Sequence, residues 1–154
     1  MAQLEAGDKA PEFSLVDQHG KTVKLKSLRG QKVVVYFYPK ANTPGCTTQS
    51  CELRDAEPEL GKLGATVVGI SPDKPSAQLK FDEKYSLGFP LLADEDHTVA
   101  EAYGVWGEKS MYGKKYMGIV RSAFVVDGKG RIVDAFYKVS PKDTVPKVTA
   151  ALNR

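Results

Sequence analysis

The sequence predicts an α/β protein, with a mixed central sheet and helices on both of its faces. Three observations carry this. Val33-Val34-Val35-Tyr36-Phe37-Tyr38 is a continuous run of β-branched and aromatic residues, which reads as a central strand buried on both faces. Strand-like and helix-like stretches alternate through the first half of the chain, as they do where helical crossovers join parallel strands. Near the end, Asp127-Gly128-Lys129-Gly130 lies between two apolar runs, a strong turn signal that adds an antiparallel pair.

Taken in order, residues 1–11 read as an irregular lead-in. Residues 13–16 and 22–25 flank Asp17-Gln18-His19-Gly20-Lys21, predicting an N-terminal hairpin with His19 in a solvated turn. A short connector at 27–31 leads into the strand at 32–38. Residues 44–64 read as a helix, with Thr43 as cap and Pro44 at its first position, where no amide hydrogen is needed. Its apolar stripe is Leu53, Ala56, Leu60 and Leu63, and Pro58 inside it predicts a kink or a break. A strand at 66–71, a helix at 75–85 and a short strand at 91–93 follow. Asp94, Glu95 and Asp96 resemble catalytic carboxylates but are better read as acids favouring the start of a helix at 98–103. Residues 104–118 read as a polar and aromatic loop. Strands at 122–126 and 132–137 and a closing helix at 141–152 complete the chain, with Val145, Val148 and Leu152 on one side of that helix.

At 154 residues a single domain over 1–154 is expected, large enough for a core without staples. There are 22 basic and 19 acidic residues, so the net charge of +3 is too mild to imply a nucleic acid or membrane partner. No apolar run approaches a membrane span, and Met1-Ala2-Gln3-Leu4-Glu5 lacks the apolar segment of a secretory signal, so a cytoplasmic location is expected. In that compartment two cysteines rarely form a structural disulfide. They cannot close a zinc site alone, and the spacing of His19 and His97 does not complete one, so no metal or cofactor is expected. Inert thiols or redox chemistry remain.

Both cysteines lie at the start of the 44–64 helix. With Thr43 at the cap, Cys46 is its third residue, beside unpaired backbone amides and the positive end of the helix dipole. Both favour thiolate over thiol, and the thiolate is the nucleophile. Five residues of α-helix turn about 500° and rise about 7.5 Å, which puts the Cα atoms of Cys46 and Cys51 about 8.6 Å apart. A disulfide requires less than about 7 Å. Cys46 falls on the inward side of the helix and Cys51 nearly opposite, so a bond between them demands that the first turns unwind. A C-x-x-C dithiol would suit disulfide exchange without such a change. A C-x₄-C pair suits a cycle in which one cysteine is oxidised first and the second attacks after local melting. A thiol–disulfide oxidoreductase and a binding module with inert thiols stay open as alternatives.

Pro39, Thr43 and Cys46 form a P-x-x-x-T-x-x-C motif, and with it the chain resembles the peroxiredoxins. The stretch Tyr36-Phe37-Tyr38-Pro39-Lys40 through Thr43-Pro44-Gly45-Cys46-Thr47 is similar to the PrxQ, or bacterioferritin-comigratory-protein, branch. Gly7-Asp8-Lys9-Ala10-Pro11-Glu12-Phe13, Gly69-Ile70-Ser71-Pro72-Asp73, Tyr103-Gly104-Val105-Trp106-Gly107-Glu108-Lys109 and Arg121-Ser122-Ala123-Phe124 extend the likeness over nearly the whole chain. The resemblance implies a thioredoxin-like fold with an added N-terminal hairpin, and reduction of hydrogen peroxide and organic hydroperoxides. It makes Cys46 the peroxidatic cysteine and Cys51 the resolving one. It gives Arg121 the task of stabilising the thiolate and orienting peroxide, a choice that composition alone does not make over Arg29, Arg54 or Arg131. Thr43 would bond the peroxide or the sulfur, Pro39 would shield the pocket, and backbone amides near Gly45 and Cys46 would face the oxygen under attack. Thioredoxin or a related dithiol protein is the implied reductant, and a monomer the implied state. The chain departs from the branch at Gln49, where Glu is usual. That removes a charge partner for an arginine and a negative charge that opposes the thiolate.

Overall fold

A computed structural model describes residues 3–154; Met1 and Ala2, part of the expected lead-in, lie outside the described residues. The N-terminal hairpin forms from β1 (Ser14–Val16) and β2 (Thr22–Lys24). Its turn closes on the Asp17 carboxylate, which accepts from the amides of His19 at 2.8 Å and Lys21 at 2.9 Å, and His19 is exposed. Strand and helix then alternate through β3 (Lys32–Phe37), α1 (Pro44–Lys62), β4 (Ala65–Ser71), α2 (Pro75–Tyr85), β5 (Leu91–Ala93) and α3 (Thr98–Ala102). The chain ends with β6 (Trp106–Met111), β7 (Lys114–Ile119), β8 (Ser122–Val126), β9 (Ile132–Phe136), a 3-10 turn at Pro141–Asp143 and α4 (Thr144–Leu152).

Seven strands make one sheet in the order β2-β1-β5-β4-β3-β8-β9. β3, β4 and β5 run parallel, and every other pair is antiparallel. The alternation of side chains along a strand sorts the core into two layers. On one face Val34, Tyr36 and Tyr38 of the β3 segment meet Cys46, Leu53 and Leu60 of α1, Phe81 of α2 and Val148 and Leu152 of α4. On the other, Val33, Val35 and Phe37 meet Phe13, Val99 and Ala100 of α3, Tyr103 and Phe124. Within α1 the buried residues are Cys46, Gln49 and Ser50 in the first turns and Leu53 and Leu60 beyond them. The first turns of this helix thus bury Cys46 and two polar side chains, and the later turns bury leucines.

The acids before α3 serve its start, as expected. Asp94 accepts from the amides of Val99 and Ala100, and Asp96 from that of Thr98. Burial raises the pKa of Asp94, with these two amides opposing the shift.

One expectation fails and another is met only in part. The 104–118 segment is not a loop but a separate two-stranded sheet, with Trp106 opposite Ile119 and Met111 opposite Lys114. It turns at Tyr112-Gly113, where φ is 53° and 78°, the paired positive angles of a primed hairpin turn. The hairpin stands off the main sheet with most of β7 exposed, so its strands lack the apolar run that would betray them. Of the kink or break expected at Pro58, no break occurs: α1 is one helix from Pro44 to Lys62. Pro58 lies on the exposed face between two fully buried residues, Leu53 and Leu60, that fix the turns on either side. Among the described residues, no helix is long and apolar enough to cross a membrane.

Candidate active site

The chain leaves β3 at the carboxyl edge of the parallel strands, the usual place for a ligand site on an open α/β sheet. Residues 39–43 link β3 to α1. Ala41 donates its amide to Asp73 Oδ2 at 2.7 Å, and the Ser71 hydroxyl donates to the same oxygen at 2.6 Å, so the link is tied to the end of β4. Pro39 is half-buried at its head. Asn42 takes φ 65°, a conformation its short side chain tolerates better than most.

Thr43 holds the N-cap position of α1 by its backbone but does not cap with its side chain. Its hydroxyl donates to the Lys40 carbonyl at 2.7 Å. That commits the hydroxyl proton and leaves the oxygen as an acceptor. The Thr47 amide donates to the Thr43 carbonyl at 2.8 Å. The amides of Gly45 and Cys46 precede it, in the turn where no intrahelical partner exists.

Cys46 is 1% exposed. Arg121 reaches it from just before β8: the register pairs Phe37 with Ser122, which sets Arg121 beside the end of β3. Its Nη1 lies 3.5 Å from Cys46 Sγ and donates to Gln49 Oε1 at 2.9 Å. Gln49 therefore keeps a partner for the arginine through its carbonyl oxygen without adding a negative charge. Gly45 supplies the space. A Cβ there would stand 3.0 Å from Arg121 Nη2 and 3.7 Å from Pro141 Cγ. Thr43, Gly45, Cys46 and Arg121 thus converge at the start of α1. Cys51 lies further along the same helix. It is half-buried against the α1 side of the core, not on the outward face that the helical count predicts, and both cysteines are free thiols.

This arrangement of a buried sulfur, a guanidinium and free amides can hold an anionic sulfur and a small polar substrate beside it. The profile of the AhpC/TSA family matches residues 6–135. The chain is 57% identical to Peroxiredoxin Bcp of Escherichia coli (strain K12) over 136 residues, 88% of this chain and 87% of that one. It is 46% identical to Peroxiredoxin Bcp of Bacillus subtilis (strain 168) over 149 residues, 97% of this chain and 95% of that one. The chain is a peroxiredoxin of the AhpC/TSA family. Among solved structures it is similar to Xanthomonas campestris Peroxiredoxin Q, with a TM-score of 0.86, 38% identity, and coverage of 92% of this chain and 89% of that one. The fold is the thioredoxin-like one of these peroxiredoxins, and the activity is that of a thiol peroxidase.

Several groups around the peroxiredoxin site escape a reading of the sequence. The phenol of Tyr36, fully buried, and the Ser50 hydroxyl are 2.7 Å apart. Burial raises the tyrosine's pKa well beyond its ordinary value, the Ser50 bond opposing, so the phenol stays protonated. Gln49 Nε2 donates to Thr144 Oγ1 at 3.0 Å, across 95 residues of sequence. Lys109 of β6 donates to the Ile119 carbonyl at 2.8 Å, and burial, then the charge of Arg121, lower its pKa while Cys46 opposes. The one local signal available for these contacts is that Gln49 and Ser50 lie three and four residues after Cys46, on the same helix face.

Proposed function

We propose that this peroxiredoxin reduces hydrogen peroxide and organic hydroperoxides with Cys46 as the peroxidatic cysteine. The observation that carries the assignment is the 3.5 Å approach of Arg121 Nη1 to a buried sulfur at a helix N-terminus. The Cys46 thiolate attacks one peroxide oxygen. The O–O bond breaks, the attacked oxygen stays on sulfur as a sulfenic acid, and the other leaves with a proton as water or an alcohol. Sulfur loses two electrons and the peroxide gains them. The guanidinium and the amides of Gly45 and Cys46 stabilise the charge that develops on oxygen. Thr43, its own proton committed to Lys40, accepts the peroxide O–H and so orients the substrate. Pro39 shields the pocket.

The Cys51 thiol then attacks the sulfenic sulfur, an S–S bond forms, and water departs. Thioredoxin or a related dithiol reductant restores both thiols by exchange. The enzyme works without metal or cofactor, as a monomeric single domain in the cytoplasm. Two core layers built on one sheet support the single domain.

The test is a mass-spectrometric time course after one equivalent of hydrogen peroxide. Sulfenic acid on Cys46 precedes a Cys46–Cys51 disulfide. Cys46→Ser consumes no peroxide, and Cys51→Ser undergoes one rapid oxidation but does not recycle with thioredoxin. Peroxide turnover by Cys46→Ser at the wild-type rate would overturn the assignment.

A further inference from the structure

We infer that Gln49 and Thr144 form a buried latch that sets how quickly the Cys46 sulfenic acid is resolved. The inference rests on the proposed roles of the two cysteines. Both latch residues are fully buried. Gln49 spends its two polar ends in opposite directions: Oε1 accepts from Arg121 Nη1 at 2.9 Å, and Nε2 donates to Thr144 Oγ1 at 3.0 Å. Thr144 in turn donates its hydroxyl hydrogen to the Ser140 carbonyl at 2.9 Å. One unbroken chain of hydrogen bonds therefore runs from the guanidinium beside Cys46, through the middle of the Cys46–Cys51 segment, to the segment that opens α4.

The position of this chain gives it two opposed effects. Folded, it aims Arg121 at Cys46 and assists the first oxidation. The disulfide, however, needs Cα atoms closer than an intact helix allows. The first turns of α1 must then unwind, and Gln49, lying between the cysteines, must leave Thr144. No large apolar side chain of residues 44–51 is buried, so polar bonds of this kind are what hold the segment down. The Ser50–Tyr36 bond and the contacts of Arg121 with Cys46 and Gln49 are others. While the segment stays closed, the sulfenic acid is exposed to a second peroxide, which converts it to sulfinic acid and leaves as water. The latch thus trades speed in the first step against escape from overoxidation in the second.

Thr144→Val removes the hydroxyl and keeps the shape. Full-length protein is mixed with hydrogen peroxide, quenched with a thiol-trapping reagent at intervals, and analysed by mass spectrometry. The variant forms its disulfide about fivefold faster than wild type once sulfenic acid is present, the change expected from losing one buried hydrogen bond. The sulfinic fraction at excess peroxide falls by a similar factor, while the first oxidation slows by about two- to threefold as Arg121 loses its brace. Thr144→Ser, which restores the hydroxyl, behaves as wild type. Gln49→Met keeps an unbranched side chain of similar length without either bridging atom, and it gives the same acceleration if Thr144→Val does not fold. A folded Thr144→Val or Gln49→Met protein that resolves at the wild-type rate or slower overturns the latch. So does a Thr144→Ser protein that resolves as quickly as Thr144→Val. If wild type itself forms no Cys46–Cys51 disulfide, the assignment of the cysteines fails first, and the wild-type time course shows that separately.

Discussion

Gly45→Ala separates the geometry of the site from the stability of the fold. Gly45 does not occupy the left-handed region, so alanine fits its backbone. The added Cβ would stand 3.0 Å from Arg121 Nη2 and 3.7 Å from Cζ. Ordinary contacts between such atoms begin at about 3.5 Å, so the guanidinium has to retreat by about 0.5 Å. Nη1 is 3.5 Å from Cys46 Sγ, an ordinary length for a bond to sulfur, which runs out at about 4 Å. A retreat of that size takes it to about 4 Å and forfeits a charge-assisted bond of about 1.5–3 kcal/mol. At about 1.4 kcal/mol per tenfold, the second-order rate of Cys46 oxidation falls by about 10- to 100-fold. Alanine is a better helix former than glycine, so stability holds or rises. Stopped-flow oxidation by hydrogen peroxide measures the first effect and urea denaturation the second. An alanine variant that is oxidised within twofold of the wild-type rate would refute the argument that glycine is there to seat Arg121.

Three other outcomes are expected. Arg121→Lys keeps the charge but replaces a planar fork with a single ammonium that cannot serve Cys46 and Gln49 together, so the first oxidation slows by at least about tenfold in the same assay. Gly69→Ala drives a Cβ to 2.9 Å from three atoms of the buried Tyr36 side chain. The overpacking costs about 1–3 kcal/mol in denaturant unfolding, and unchanged stability would contradict it. Lys109, whose folded-state pKa is lowered, sheds its proton at a lower pH when folded than when unfolded. Between its lowered value and about 10.4 the unfolded state binds more protons, so folding stability rises with pH there. Wild type therefore gains on Lys109→Met in that window, and a gap between their unfolding midpoints that stays constant with pH would remove the effect.

The parts of the fold that sequence revealed are those where burial and local conformation agree. The unbroken apolar run of β3, Pro44 at the first turn of α1 and the Asp127 turn before β9 each write a local signal. The β6–β7 hairpin writes none, because it is a separate sheet that meets the core only at its base, through Trp106 and Ile119, and its strands carry lysines and exposed methionines without alternation. At Pro58 the continuity of the helix is decided by the buried leucines on either side as well as by the proline. The same division holds at the site. Cys46 enters the candidate site from its place on a helix, whereas Arg121 enters only through family likeness, since nothing local distinguishes it from Arg29 or Arg131. Thr43 matched a cap pattern, but its hydroxyl turns back to Lys40. The partnership of Gln49 with Thr144, and the reason for Gly45, depend on neighbours 95 and 76 residues away, which no local pattern encodes.

The make-up of α1 also sets how the enzyme responds to temperature. Unfolding a whole domain exposes apolar surface, and the resulting heat capacity bends its rates and equilibria as temperature changes. Opening only the first turns of α1 uncovers Cys46, Gln49, Ser50 and the part of Tyr36 they cover, and leaves Leu53 and Leu60 in place. The apolar surface exposed is then a small part of that exposed on global unfolding and is offset in part by polar surface, so the opening carries a small heat capacity. On the proposed Cys46–Cys51 cycle, disulfide formation follows a nearly straight Eyring line across the range in which the protein stays folded. Its peroxide defence would then keep one temperature coefficient where processes built on apolar exposure do not.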